Sequence, residues 1–375
     1  MKTLRLELTD YKKTGSLSDA DEAALRKGAE LLRNGGLVAF PTETVYGLGG
    51  NALIPDASRN IYAAKGRPSD NPLIAHIASM KELLPLVKSV PERAKCLADA
   101  FWPGPLTMIL EKSELVPYET TGGLDTVAVR MPEHPAARRL IELAGVPIAA
   151  PSANTSGRPS PTEAAHVLED LDGKIDAVID GGSVPIGVES TIIDLSGERA
   201  ALLRPGAITR EMLTEALGEE VLLDPALEKP LDPTVHPKAP GMKYRHYAPK
   251  APMCIFVPRD GVFSEAALER LKQAVSAEAE RALAAGLQVG ILCSEETFPY
   301  YKEKLMSAAA QRLLLMSAGS HQSDESFAHN LFRVLRDMDD AGVGFIAAEG
   351  TDTAKLGYAV MNRMKKAAGQ QVRYI

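Results

Sequence analysis

Residues 146–162 have the sequence VPIAAPSANTSGRPSPT, and this stretch decides the fold class. An apolar run is followed directly by a loop rich in Gly, Pro and Ser, and a helical pattern begins after the loop. This order is typical of α/β proteins, which bind ligands at the ends of their strands. The side chains of Ser152, Asn154 and Ser160 could bind phosphate, ribose or an adenine edge. An ordinary turn with a helix N-cap remains an alternative, because a cap needs only one of these residues.

Similar apolar runs recur through the first part of the chain, with helical patterns between several of them. The apolar runs lie at 72–77, 106–112, 126–132, 176–182, 190–195 and 201–206, and the helical patterns at 19–34, 80–100, 134–144 and 162–170. Some links between runs are too short for the crossover that joins parallel strands. We therefore predict a mixed α/β sheet with helices. The segment FPTETVYGLGG over 40–50 indicates one buried strand interrupted by Thr42, Glu43 and Thr44, whose polar groups need partners, such as a ligand.

The chain changes character after residue 210. Six prolines fall between Pro225 and Pro249, which indicates an extended linker. Beyond the linker, apolar runs alternate with helical patterns, as in a small parallel, Rossmann-like α/β domain. We predict a first domain over 1–210, a linker over 211–251 and a C-terminal domain over 252–375.

Composition restricts the class of protein. The 375 residues carry a net charge of −7, which argues against a general nucleic-acid binder. Three cysteines, Cys96, Cys254 and Cys293, are too far apart for a zinc motif and fit a reducing compartment. No apolar run reaches the length of a membrane span. We expect a cytoplasmic protein.

A loop with the sequence AKGRPSDNPL over 64–73 carries two cations beside a glycine, between two prolines. Arg67 can hold phosphate oxygens in a fork, and Lys65 offers a compact point charge. A solvated loop with two incidental charges is the alternative. Arg130 and Arg204 each end an apolar run, where a lone arginine is usually a structural ion pair. Four cations in such positions favour a pocket for a small anion.

The linker contains PGMKYRHYAP at 240–249, and its Tyr and Arg side chains suit stacking on a base and contact with phosphates. This composition predicts a lid over a nucleotide site, and simple packing of a linker is the alternative. His76 lies alone in an apolar run, where a core histidine is the commoner case. No P-loop, zinc-protease, nucleophile-elbow or kinase motif occurs.

Together these motifs resemble the YrdC-like domain of threonylcarbamoyl-AMP synthases, in the two-domain form of that family. The motifs that carry the resemblance are FPTETVYGLGG, KGRPSDNPL, WPGPLT, VAVRMP, APSANTSGRPSPT, ESTIID, LLRPG and PGMKYRHYAP. The resemblance implies a twisted mixed sheet and a nucleotidyl transfer, in which L-threonine, bicarbonate and ATP give threonylcarbamoyl-adenylate, diphosphate and water. It further implies that a tRNA threonylcarbamoyl transferase complex uses the product to modify tRNA next to the anticodon. Direct binding of tRNA or of a membrane is not required.

The resemblance also implies roles for individual residues. Catalytic residues would be Lys65, Arg67, Ser152 and Asn154. ATP would contact Arg67, Asn71, Thr126, Ser152, Ser160, Arg204 and one of Tyr244 and Tyr247. L-Threonine would contact Thr44, His76, Arg130, Ala150 and Ser190. Mg²⁺ would bridge the phosphates of ATP, and no protein ligand to a metal is assigned.

Three other functions stay open at this stage. A carbamoyl-transfer maturation factor also uses a YrdC-like domain, but such factors are longer and carry Cys-rich zinc modules. An RNA-binding module would use the four cations as a basic patch, with a steep dependence of affinity on salt. A nucleotide sensor would bind ATP and release no pyrophosphate.

Overall fold

A computed structural model describes residues 2–227, 235–243, 246–309 and 311–375, and these residues form two compact units. The first unit comprises 1–156, 160–185 and 189–244 within those limits, and the second comprises 157–159, 186–188 and 245–375. Two short segments of the first half of the chain, 157–159 and 186–188, therefore belong to the second unit. No helix of the described residues is long and apolar enough to cross a membrane.

A mixed sheet is the centre of the first unit. Its strands are β1 (Leu4–Glu7), β2 (Val38–Phe40), β3 (Gly47–Asn51), β4 (Ile74–His76), β5 (Leu106–Glu111), β6 (Thr126–Arg130), β7 (Ile148–Ala149), β8 (Ala177–Asp180), β9 (Thr191–Asp194), β10 (Ala201–Arg204) and β11 (Leu222–Leu223). They are ordered β1-β8-β2-β3-β7-β4-β6-β5-β9-β10-β11. The sheet contains both parallel pairs, such as β4 with β6, and antiparallel pairs, such as β5 with β6, which confirms the predicted mixed sheet.

The helices of the first unit connect these strands. They are α1 (Thr9–Thr14), α2 (Asp19–Arg33), α3 (Pro55–Lys65), α4 (Met80–Leu83), α5 (Glu92–Phe101), α6 (Tyr118–Thr121), α7 (Pro135–Ala144), α8 (Ala164–Leu171) and α9 (Arg210–Leu217). Helix α2 begins with a capping box, in which Ser18 and Asp21 each bind the other's backbone N–H. Its apolar face, with Leu25 and Leu32, is fully buried and the helix packs on α7. Each such leucine contributes about 1.5–3 kcal/mol through burial.

Helix α3 ends immediately before the glycine of the cationic loop. Gly66 has φ +61°, the left-handed conformation that stops a helix and suits glycine. The chain therefore reverses between Lys65 at the helix end and Arg67 in the loop. This turn begins the loop that leads into β4.

The segment 40–50 differs from its expected form. The sequence suggested one buried strand interrupted by Thr42, Glu43 and Thr44. The chain instead forms two antiparallel strands, β2 and β3, and the polar residues form their connection. This connection is buried, although most connections lie at the surface.

The second unit contains a wholly parallel five-stranded sheet. Its strands are β12 (Met253–Val257), β13 (Val289–Ser294), β14 (Leu313–Gly319), β15 (Phe345–Glu349) and β16 (Val372–Tyr374), in the order β14-β13-β15-β12-β16. Its helices are α10 (Glu265–Ala284), α11 (Phe298–Ala309), α12 (Asp324–Asp340) and α13 (Lys355–Ala367). Apolar side chains of α10, such as Leu271 and Val275, pack into the core of this sheet. The Rossmann-like parallel domain predicted from the sequence is confirmed.

Candidate functional site

Strand register brings polar side chains of the first unit into one row across the sheet. Arg130, the last residue of β6, pairs with His76 on the parallel strand β4 and with Thr107 on the antiparallel strand β5. On the far side of β4, Ala150 donates its backbone N–H to the carbonyl of Ile74 at 2.9 Å. Residues far apart in the chain thus lie side by side at one end of these strands.

Arg130 is buried at the centre of this row and has three contacts. Its Nη1 donates to Thr44 Oγ1 at 2.9 Å, and its Nε donates to the carbonyl of Gly104 at 3.4 Å. Its Nη2 lies 2.6 Å from Glu43 Oε1. The side chains of Arg130 and Glu43 are only 4% and 5% exposed, so this is a buried ion pair. These three contacts fix the orientation of the guanidinium.

Burial and the neighbouring charges set the protonation of this part of the site. Burial and, to a smaller extent, the charge of Arg130 lower the pKa of His76 to about 3. Burial raises the pKa of Glu43, but the charge of Arg130, a hydrogen bond from Arg130 and hydrogen bonds from the backbone together outweigh burial, and the pKa lies below its ordinary value. At neutral pH the site therefore contains a neutral imidazole, a carboxylate and a guanidinium.

We expect His76 to make the protein less stable in acid. Its folded pKa of about 3 lies below the unfolded value of about 6.5, so its stabilising effect is complete above about pH 6.5 and is lost as the pH falls toward 3. At about pH 5 the loss should be about 2 kcal/mol in the free energy of unfolding. Urea unfolding across this range should show a steeper decline for the native protein than for His76→Asn. If the free energy of unfolding fell equally steeply with pH in the two proteins, this would contradict a neutral, buried His76.

Ser190, directly before β9, connects this row of side chains to Arg204 at the end of β10. Its Oγ lies 2.8 Å from Thr107 Oγ1 and accepts a hydrogen bond from Arg204 Nη2 at 3.0 Å. Arg204 Nε also donates to the Ser190 carbonyl at 2.9 Å. One serine expected to bind threonine therefore contacts one arginine expected to bind ATP.

Lys65 is buried and holds the Ser-x-Asn segment. Its ammonium donates to the carbonyls of Ser152 and Asn154, each at 2.5 Å, and lies 3.5 Å from Asn154 Oδ1. Ser152 Oγ in turn donates to Asn154 Oδ1 at 2.6 Å. The same segment pairs with β3 through a bridge between Gly47 and Ser152. The two motifs Lys-x-Arg and Ser-x-Asn thus form one structural group.

Arg67 closes the cationic loop on itself. Its Nε and Nη2 donate to the carbonyl of Asn71, and Nη2 also donates to the carbonyl of Pro72 at 3.2 Å. Tyr62 OH donates to the same Asn71 carbonyl, from α3. The loop is therefore held by internal hydrogen bonds as well as by its prolines.

The remaining predicted residues lie in different places. Ser160 is buried and donates to Glu189 Oε1 at 2.5 Å. Thr126 begins β6 while Arg130 ends it, which separates them by about 13 Å of strand. Tyr247 belongs to the second unit, where its ring stacks on Phe332 with centroids 5.2 Å apart. Tyr244 lies outside the described residues.

Comparison with known proteins identifies the family. Residues 30–206 match the family model Sua5_yciO_yrdC, described as Telomere recombination, and residues 208–369 match the model of the threonylcarbamoyl-AMP synthase C-terminal domain. The threonylcarbamoyl-AMP synthase of Pyrococcus abyssi is 48% identical over 94% of this chain and 96% of its own length. The chain belongs to the threonylcarbamoyl-AMP synthase family. The member from Bacillus subtilis is 44% identical over 99% of both chains.

A solved structure of the same family also matches. Pyrococcus abyssi Sua5, crystallised with L-threonine, has a TM-score of 0.84 and 45% identity to this chain, with all of both chains covered. The resemblance noted from the motifs is therefore confirmed at the level of family and fold.

Several polar residues of this site were not assigned from the sequence. Glu43, Thr107 and Glu189 contact Arg130, Ser190 and Ser160 respectively. Each lies inside a motif that marks the threonylcarbamoyl-AMP synthase family, which is the signal available in the sequence. Their partners depend on strand register, which the motifs do not contain.

Proposed function

We propose that this chain makes threonylcarbamoyl-adenylate from L-threonine, bicarbonate and ATP, with release of diphosphate and water. The observation that carries the proposal is the contact of Ser190 with Arg204, which joins residues expected for the two substrates. Family membership over nearly the whole chain supports the same reaction.

The threonine subsite of the proposal comprises Thr44, His76, Arg130, Ala150 and Ser190. Arg130 binds the amino-acid carboxylate, because its guanidinium is buried and already oriented by three contacts. The amine of threonine combines with carbon dioxide, supplied by bicarbonate, to form a carbamate. A carbamate hydrolyses readily, so a site that excludes water protects it.

The ATP subsite of the proposal comprises Arg67, Asn71, Thr126, Ser152, Ser160 and Arg204, with Lys65 and Asn154 beside them. A carbamate oxygen attacks the α-phosphate, and diphosphate leaves. Because one anion attacks another, cations around the phosphates and exact positioning supply much of the acceleration. Lys65 holds the Ser-x-Asn segment in place through its hydrogen bonds to the two carbonyls. Its positive charge also contributes to the cations around the phosphates.

Mg²⁺ belongs to the proposal as a partner of ATP. Among the described residues no group of three or more His, Cys, Asp or Glu side chains could hold a metal ion. The predicted phosphate contacts are mostly cations, hydroxyls and amides, so this donor set fits Mg²⁺ only as an ion carried by the phosphates. There it would neutralise charge on the phosphate oxygens.

Further parts of the proposal concern the setting of the reaction. The product passes to a tRNA threonylcarbamoyl transferase complex in the cytoplasm, without direct tRNA binding by this chain. Residues 1–210 form the catalytic domain, residues 211–251 act as a linker and lid, and residues 252–375 form an accessory domain. One of Tyr244 and Tyr247 closes over the nucleotide.

The decisive assay measures pyrophosphate release from ATP and magnesium, with L-threonine and bicarbonate omitted in turn. We expect release only when both are present, and much less with L-serine in place of threonine. ATP binding without release under every combination would indicate a nucleotide sensor instead. A steep salt dependence of RNA affinity would favour the RNA-binding alternative.

Thr107→Val should weaken threonine binding through Ser190. The valine side chain has nearly the shape of the Thr107 side chain. The substitution therefore removes little more than one buried hydroxyl contact to Ser190, worth about 0.5–1.5 kcal/mol. We expect the KM for threonine to rise about two- to tenfold while kcat changes little. Thr121→Val, which alters a hydroxyl that donates to the carbonyls of Tyr118 and Leu124, is the matched control. An unchanged KM for threonine in Thr107→Val would refute this positioning role.

A further inference from the structure

Glu43 is a buried carboxylate beside the proposed threonine subsite, and the reaction described above gives it no task. It is 4% exposed and lies 2.6 Å from Arg130 Nη2. Arg130 is the cation that faces it, and the backbone at Glu43 and Glu133 also lies within its reach. It also lines a cavity of about 520 Å³ together with Tyr11, Glu133 and His134.

A carboxylate in this position is costly unless something compensates its charge. Burial disfavours an ionised carboxyl group. Arg130, helped by hydrogen bonds from the backbone, nevertheless keeps Glu43 ionised, since its pKa lies below the ordinary value. The charge of Glu43 is therefore permanent at neutral pH, and it cancels the charge of Arg130 within a few ångströms.

An amino acid carries its ammonium on the carbon next to its carboxylate. If Arg130 binds the carboxylate, the ammonium lies on the order of 5 Å from the guanidinium, within range of strong charge interaction in a protein interior. Arg130 alone would attract any carboxylate and would repel the ammonium. Glu43 reverses that repulsion.

We propose that Glu43 is a specificity-determining positioning residue, which makes the subsite prefer a zwitterionic amino acid over a hydroxy acid of the same skeleton. The inference rests on the proposed function, because it takes Arg130 as the carboxylate receptor. It adds a recognition element for the substrate's ammonium.

Calorimetric titration with three ligands tests this role. L-Threonine is a zwitterion, L-threoninamide a cation, and (R)-β-hydroxybutyrate an anion that lacks the ammonium. The native protein should bind (R)-β-hydroxybutyrate at least about tenfold more weakly than L-threonine. Glu43→Gln should bind the anion more tightly and the cation more weakly, so that their affinity ratio changes by about tenfold or more.

Two further variants separate charge from shape. Glu43→Asp keeps the charge and should retain the native ratio. Glu133→Gln removes an exposed carboxylate from the same cavity and should leave the ratio unchanged. If Glu43→Gln weakens all three ligands equally, Glu43 is only a structural partner of Arg130 and the inference fails.

If Glu43→Gln does not fold, the two affinities of the native protein still test the inference. Equal affinity of the native protein for L-threonine and (R)-β-hydroxybutyrate would overturn the inference without any variant. Failure of the proposed function is a different result. In that case the native protein would bind threonine selectively but release no pyrophosphate.

Discussion

Lys65→Met should lower threonine-dependent pyrophosphate release by about two to three orders of magnitude. Methionine keeps most of the side-chain length but removes the ammonium that donates to the carbonyls of Ser152 and Asn154. Those carbonyls then lose a charged donor, and the Ser-x-Asn segment loses its fixed position. Loss of one oriented donor from a reacting site costs about 10²–10³ in kcat.

The measurement for Lys65 is steady-state pyrophosphate release, with ATP affinity determined in parallel. Lys65→Arg should not restore activity, because a planar guanidinium cannot replace a compact ammonium among these carbonyls. Lys81→Met, an exposed lysine on α4, is the control and should behave as the native protein. Near-native activity of Lys65→Met would show that the link between the two motifs is dispensable.

Arg130→Ala should reduce the free energy of unfolding by about 3–5 kcal/mol, because it leaves Glu43 buried without its cation. The isolated Glu43 would then have a folded pKa above its unfolded value. Its carboxyl group is neutral at low pH and must ionise as the pH rises, so stability is lost with rising pH. The same variant should raise the KM for threonine far more than it changes ATP binding.

Urea unfolding at several pH values measures the stability effect. The double variant Arg130→Met with Glu43→Gln removes both charges and should recover much of the lost stability. It should not recover threonine binding. If the single and double variants are equally stable, leaving Glu43 without its cation costs little free energy of unfolding, contrary to this prediction. Loss of ATP binding alone would refute the assignment of Arg130 to threonine.

The sequence predicted the architecture where periodicity and segment length determine it. The alternation of apolar runs and helices after residue 252 was sufficient for the parallel sheet, because parallel strands need long crossovers. The segment 40–50 was misjudged, because the apolar residues on both sides of its polar residues suggested one strand, although Pro41 and Gly47 are turn signals. The connection between β2 and β3 is buried, so its sequence resembles that of a buried strand.

The motifs did not predict which side chains contact the candidate site residues. Motifs identified Arg130 and Ser190, but the pairing of Arg130 with Glu43 and of Ser190 with Thr107 depends on register. Register follows from how the whole sheet packs, and a short motif does not contain it. Likewise, the contacts of Lys65 with carbonyl groups carry no side-chain signature in the sequence.

The contact between Ser190 and Arg204 has a thermodynamic consequence for the two substrates. A residue shared by two binding sites links their affinities, and such linkage is reciprocal: each ligand changes the other's dissociation constant by the same factor. If threonine orients Ser190, it also orients Arg204 for ATP, so that each substrate binds more tightly to the complex with the other. The enzyme would then hold ATP in a reactive arrangement mainly when its amino acid is already present, which limits wasteful hydrolysis.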